Sequence, residues 1–257
     1  MNSTVVRTLL VRGMLAGLLA AIPALAYAYL AGEGPVDAAI SFESANSHEH
    51  GGEELVSRTV QSTAGLATGT LVFGVAVGGI AALAFCFALG RVGRFSARAT
   101  AALTALGAFL TVYLVPMLKY PANPPAVGNP DTIGERTTLF FLMIALTVLL
   151  GIAAVLLGRR LAPRWGNWNA SIAAGLAFAA AVALAMVFLP SGDNIPRGFP
   201  AKDLWEFRLA SIGVQAVLWT GFGLVFGYLA ERVLEPRTAP ERTKDQATTD
   251  RVHTPVA

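Results

Sequence analysis

The sequence predicts an all-α fold, a polytopic bundle of six transmembrane helices with five as the alternative count and a hint of three two-helix repeats. Three observations carry this. The 257 residues are 54% hydrophobic and only 14% charged, against about a quarter charged in a soluble domain, and the mean hydropathy is +0.58. The charges are segregated, which leaves apolar runs of about twenty residues, enough at about 1.5 Å per residue to cross a ~30 Å hydrocarbon core. The links between these runs alternate in charge.

The runs fall at about 8–31, 62–89, 99–118, 138–157, 170–189 and 209–230. Arg7 and Arg12 precede the first, Arg91, Arg94 and Arg98 fill the second link, and Arg159, Arg160 and Arg164 the fourth, none with an acid among them. Basic links stay cytoplasmic. The other links hold Glu33, Asp37, Glu43, Glu49, Glu53 and Glu54, then Asp131 and Glu135, then Asp193, Asp203 and Glu206, and are expected outside. An even number of spans puts both termini in the cytoplasm, in agreement with the charges. The alternative for the first run is a signal peptide, because Ala26-Tyr27-Ala28 resembles a cleavage site. Residues 1–234 form the expected membrane domain. From Glu235 the chain turns polar, with Pro236, Pro240 and Pro255, and reads as a disordered cytoplasmic tail, 235–257.

Each outer link ends with an acid five residues before an arginine: Glu53 and Arg58, Asp131 and Arg136, Asp203 and Arg208. This spacing is the basis for the three-repeat expectation. The link from Leu114 to Thr138 stands apart, with five of the 14 prolines, Pro116, Pro121, Pro124, Pro125 and Pro130. Proline fixes φ and removes a donor, so the segment is expected to be a shaped, rigid cap.

Candidate chemistry is confined to the links. No run has an acid or base near its centre, which argues against a midplane carboxylate relay. In the first outer link, His48 and His50 with Glu53 and Glu54 are candidate ligands for a borderline divalent ion, with Glu43 able to close the set. Lys119, Tyr120, Asn123, Asp131, Glu135, Arg136, Asp203 and Arg208 could line an outer mouth. Gly13 with Gly17, Gly65 with Gly69, Gly74 with Gly78 and Gly223 with Gly227 lie at helix-contact spacing. Pro23 is an expected kink. The single cysteine, Cys86, excludes disulfides and cysteine metal clusters. The chain has no phosphate loop, dinucleotide fingerprint, zinc-protease or nucleophile-elbow motif. It is not expected to be an enzyme, to hydrolyse ATP, to carry a cofactor or to bind nucleic acid; its certain partner is the lipid bilayer.

Several segments resemble the cobalt transporter subunit CbtA family: Leu9 to Gly17, Val56-Ser57-Arg58 with Gln61, Gly65-Leu66, LVPMLKYPANPPAVGNPDTIGERT, FPAKDLWEFRLAS, Leu218-Trp219 and Gly223 to Gly227. The resemblance covers residues 7 to 232. It implies a multi-pass protein of the bacterial cytoplasmic membrane that handles Co²⁺ for corrin synthesis, paired with a small single-span, histidine-bearing subunit (CbtB). The family is often described with five spans. The alternative expectation is a non-transporting scaffold that binds such a partner through its glycine faces.

Overall fold

The computed structural model describes residues 2–46, 57–125, 127, 132–191 and 195–235. The described residues are almost all helical, without strands. Five helices are long and apolar enough to cross a membrane: α1 (Ser3–Asn46), α2 (Arg58–Ala88), α3 (Ala97–Lys119), α4 (Ile133–Phe188) and α5 (Ala201–Leu234). Five was the alternative count. The expected runs 138–157 and 170–189 both fall within α4, and the expected tail lies, from residue 236, outside the described residues.

Straight, the 56 residues of α4 would make a rod of about 84 Å. They do not, because Gly166 adopts φ 75° and ψ 161°, a left-handed conformation that costs glycine little. The helix doubles back there. A Cβ on Gly158 would touch the Ala174 side chain at 3.4 Å, and Met143 and Val182 share one buried cluster with Phe140, Phe178 and Met186. The turn is the exposed, basic segment around Arg159, Arg160 and Arg164, with Trp165 and Trp168 also exposed.

The main core joins α1, α2, α3 and α5 and is dominated by alanine, with Phe85, Phe222 and Phe226 at its centre. Phe226 meets Phe85 edge-on at 5.1 Å and stacks on Phe222 at 5.1 Å. Water does not drive helices together inside lipid, so close backbone packing must supply the association, and small residues permit it. Gly13 and Gly17 of α1 lie directly on Gly74 and Gly78 of α2: a Cβ on Gly74 would sit 2.7 Å from the Gly17 carbonyl oxygen and 2.6 Å from the Ala21 Cβ. Gly223 and Gly227 of α5 pack on Ala105 and Ala101 of α3. Gly69, by contrast, has nothing within 4 Å.

Helix α1 continues well past its expected apolar run, through Pro35 to Asn46. The acids that read as loop residues are matched instead: Arg58, at the start of α2, bonds Glu33 and lies 2.9 Å from Asp37. At the opposite end Arg98 reaches Glu231 at 2.5 Å, and Arg12 donates to the Leu229 carbonyl at 2.7 Å. The end where α1 terminates holds most of the acids of the described residues and is the acidic end. At the other, basic end, where α5 terminates, the links at 89–96 and 159–166 carry arginines and no acid.

Two π-turns interrupt the α pattern, Gln61–Gly65 in α2 and Phe109–Leu114 in α3. In the second, the Val115 N–H reaches five residues back to the Leu110 carbonyl. By the same step the Thr111 carbonyl should receive a bond from position 116, which is a proline without an N–H. The Thr147 hydroxyl of α4, wholly buried, donates to that carbonyl and also lies 2.8 Å from the Met143 carbonyl.

Two measurements test this packing. Gly74→Ala should destabilise the protein by about 1–3 kcal/mol, the usual cost of overpacking, and lower its melting temperature in detergent, whereas Gly69→Ala should be neutral. Thr147→Val should lower stability by about 1–3 kcal/mol by stranding a buried carbonyl, and Thr147→Ser should restore most of the loss in the same melts.

Candidate functional site

The acidic end holds the one elaborate non-helical structure among the described residues. Three segments meet there: the last turns of α1, the proline-rich link after α3, and the loop before α5. Ala39, Val127 and Phe199, one from each, form a small buried cluster, with Phe42 edge-on to Phe199 at 5.2 Å. Helix α3 ends at Lys119 because Pro121 follows, and proline disfavours helical geometry in the residue before it.

The link is fastened at two points. The Tyr120 hydroxyl donates to the Pro190 carbonyl at 3.0 Å, which ties the end of α3 to the exit of α4. Burial pushes the Tyr120 pKa up. Arg208, in the second turn of α5, donates from Nε to the Ala122 carbonyl at 3.2 Å and from a terminal nitrogen to Asn123 Oδ1 at 3.1 Å. A forked guanidinium suits this double contact, which a lysine could not reproduce.

Beneath the link lies a cavity of about 530 Å³. Its walls are the link itself from Tyr120 to Pro125, Tyr113 and Met117 from α3, Glu43 from α1, and Arg136, Thr137 and Phe140 from α4. Its polar lining is therefore one carboxylate, one guanidinium, hydroxyls and an amide. Tyr113 bonds Ser211 of α5 at 2.6 Å, either hydroxyl donating.

The expected mouth residues divide. Tyr120, Asn123 and Arg136 line the cavity, and Arg208 acts on it through the link. Lys119 lies over the Tyr120 ring at 5.9 Å and is not part of the lining. Glu135 is exposed in the first turn of α4. Asp203 occupies the first turn of α5, where a negative charge favours the helix dipole. Asp131 and the proposed metal ligands His48, His50, Glu53 and Glu54 lie outside the described residues. Glu43, the residue able to close that set, is on the cavity wall. Among the described residues no three of His, Cys, Asp and Glu come together as a metal site. Sequence reasoning missed Tyr113, Met117, Thr137, Phe140 and Ser211. Proximity to Pro116 was the available signal for Tyr113 and Met117, and Ser211 closes the FPAKDLWEFRLAS segment.

A bundle of long apolar helices with a polar cavity at one end and its charges at the two ends defines a multi-pass membrane protein. Residues 6–231 match the family described as probable cobalt transporter subunit (CbtA). The chain belongs to that family. No curated protein and no solved structure gave a significant match.

The clamp on the link is testable. Arg208→Ala should speed amide hydrogen exchange at Ala122 and Asn123, the non-proline positions that Arg208 holds, by about tenfold, the change expected from losing bonding worth ~1.4 kcal/mol. Arg208→Lys should recover only part of the protection.

Proposed function

We propose that the chain is the membrane subunit of a transporter that brings Co²⁺ across the bacterial cytoplasmic membrane for corrin synthesis, without an ATPase of its own. The observation that carries this reading is the cavity at the acidic end, roofed by the KYPANPP run through which the chain most resembles its family. Its oxygen groups are mainly neutral, with one carboxylate, Glu43, which offsets the one positive charge in the lining, Arg136. Such a set suits a cation in transit, which must bind well enough to enter and weakly enough to leave.

The orientation follows from charge. The acidic end faces outward and the arginine-rich end faces the cytoplasm. With α4 folded at Gly166 and its arginines at the turn, the chain crosses six times and both termini are cytoplasmic. His48, His50, Glu53 and Glu54, on the segment that continues from the end of α1, serve as the capture site that delivers the ion to Glu43 and the cavity.

A second reading, a scaffold that holds a small single-span partner, has one observation in its favour. The Gly65–Gly69 face is open, whereas the other glycine pairs are used within the chain. The purified protein in liposomes separates the two. Co²⁺ entry by the chain alone, or by the chain with its partner and slowed by Glu43→Gln, supports the transport reading. The His48→Ala/His50→Ala double variant should lower uptake at limiting cobalt while leaving uptake at saturating cobalt unchanged. Absence of flux with the partner present contradicts the proposal.

A further inference from the structure

The geometry points to the Tyr113–Ser211 hydroxyl pair as an internal gate at the floor of the acidic-end cavity, a role that rests on the transport reading above. Tyr113 is on the cavity wall, and its hydroxyl crosses the α3–α5 seam to Ser211 at 2.6 Å. Above the pair, the cavity is lined by hydroxyls, an amide, the Glu43 carboxylate and the Arg136 guanidinium. Below it the seam is apolar: Phe109 stacks against the Tyr113 ring at 6.2 Å, a Cβ on Gly223 would meet Ala105 at 3.0 Å, and Gly227 lies against Ala101 and the backbone of Arg98. A hydrated cation that leaves the cavity along this seam must first separate the two hydroxyls.

The backbone at this point is unusual in the way a moving part requires. Tyr113 lies within the π-turn Phe109–Leu114, and π-turns concentrate at functional sites because they free backbone groups from the regular ladder. Pro116 removes the donor that would close the turn, and the substitute is a side-chain bond from Thr147 on a different helix. Helix α3 is therefore held at this turn by hydroxyls, Thr147 on one side and Ser211 on the other. A pair of neutral hydroxyls can part and re-form without moving a charge through lipid. When parted, both oxygens can replace water around a divalent cation.

The test uses the full chain with Cys86→Ser and one reporter, Gln215→Cys, which lies one turn beyond Ser211 on the same face of α5. Proteoliposomes are treated from the cavity side with a charged, membrane-impermeant thiol reagent, and Co²⁺ uptake by the Cys86→Ser protein is measured in parallel. With the pair intact the reporter should react slowly. Ser211→Ala, which keeps the ring and removes its partner, should raise the rate about tenfold, as expected for losing one such bond, and Tyr113→Ala should raise it further. Rates in both variants equal to that of the intact pair, each variant monodisperse in detergent, overturn the gate. If the reporter responds but no Co²⁺ enters with the partner present, the transport reading fails while a gated cavity stands. If Co²⁺ enters but the reporter does not respond, transport stands and the gate is elsewhere.

Discussion

A carbonyl without a donor is costly inside a bilayer, because no water is there to satisfy it. Pro116 creates such a carbonyl at Thr111, and Thr147 meets it from the neighbouring helix. Much of the acidic end depends on this bond. It fixes the π-turn, which sets the orientation of Tyr113 toward Ser211, and it fastens the first leg of α4 to α3. The cavity lies between those two helices, the end of α1 and the link, so the same contact holds two of its walls together. The π-turn, the position of α4 and the cavity share one cause.

The rest of the molecule is built by a different rule. Helices α1, α2, α3 and α5 meet through glycine and alanine, with backbones in direct contact and three phenylalanines filling the centre. Such packing is rigid because neither backbone can yield. The doubled α4 lies outside that bundle and meets it at the π-turn and the link. The division places a stiff frame beside a lightly attached hairpin, with the polar cavity at their junction. Charges are held at the ends of the frame, by Glu33 and Asp37 with Arg58 and by Glu231 with Arg98.

The helical class was legible because lipid imposes it: long apolar runs and segregated arginines leave no other fold. The glycine pairs were legible for the same reason, and three of the four are used within the chain. Two features were not. Helix α1 passes through Pro35 and several acids, which read as a loop because the partner that neutralises Glu33 and Asp37 begins another helix. The π-turn shifts a hydrogen bond by one residue, a change with no compositional trace. At the site, proline density announced the link, and the boundary pair Lys119-Tyr120 its tyrosine. Tyr113 and Ser211 stayed hidden because a single hydroxyl in an apolar run looks like packing until its distant partner is placed beside it.

The central claim is that the cavity under the link opens to the outside and admits Co²⁺. A single cysteine at Ala122, on the cavity wall, in a Cys86→Ser chain tests it in intact cells with an impermeant thiol reagent. The account predicts modification without permeabilising the membrane, slowed by Co²⁺ and unaffected by the same concentration of Mg²⁺. Modification only after permeabilisation, or at a rate indifferent to Co²⁺, would contradict it.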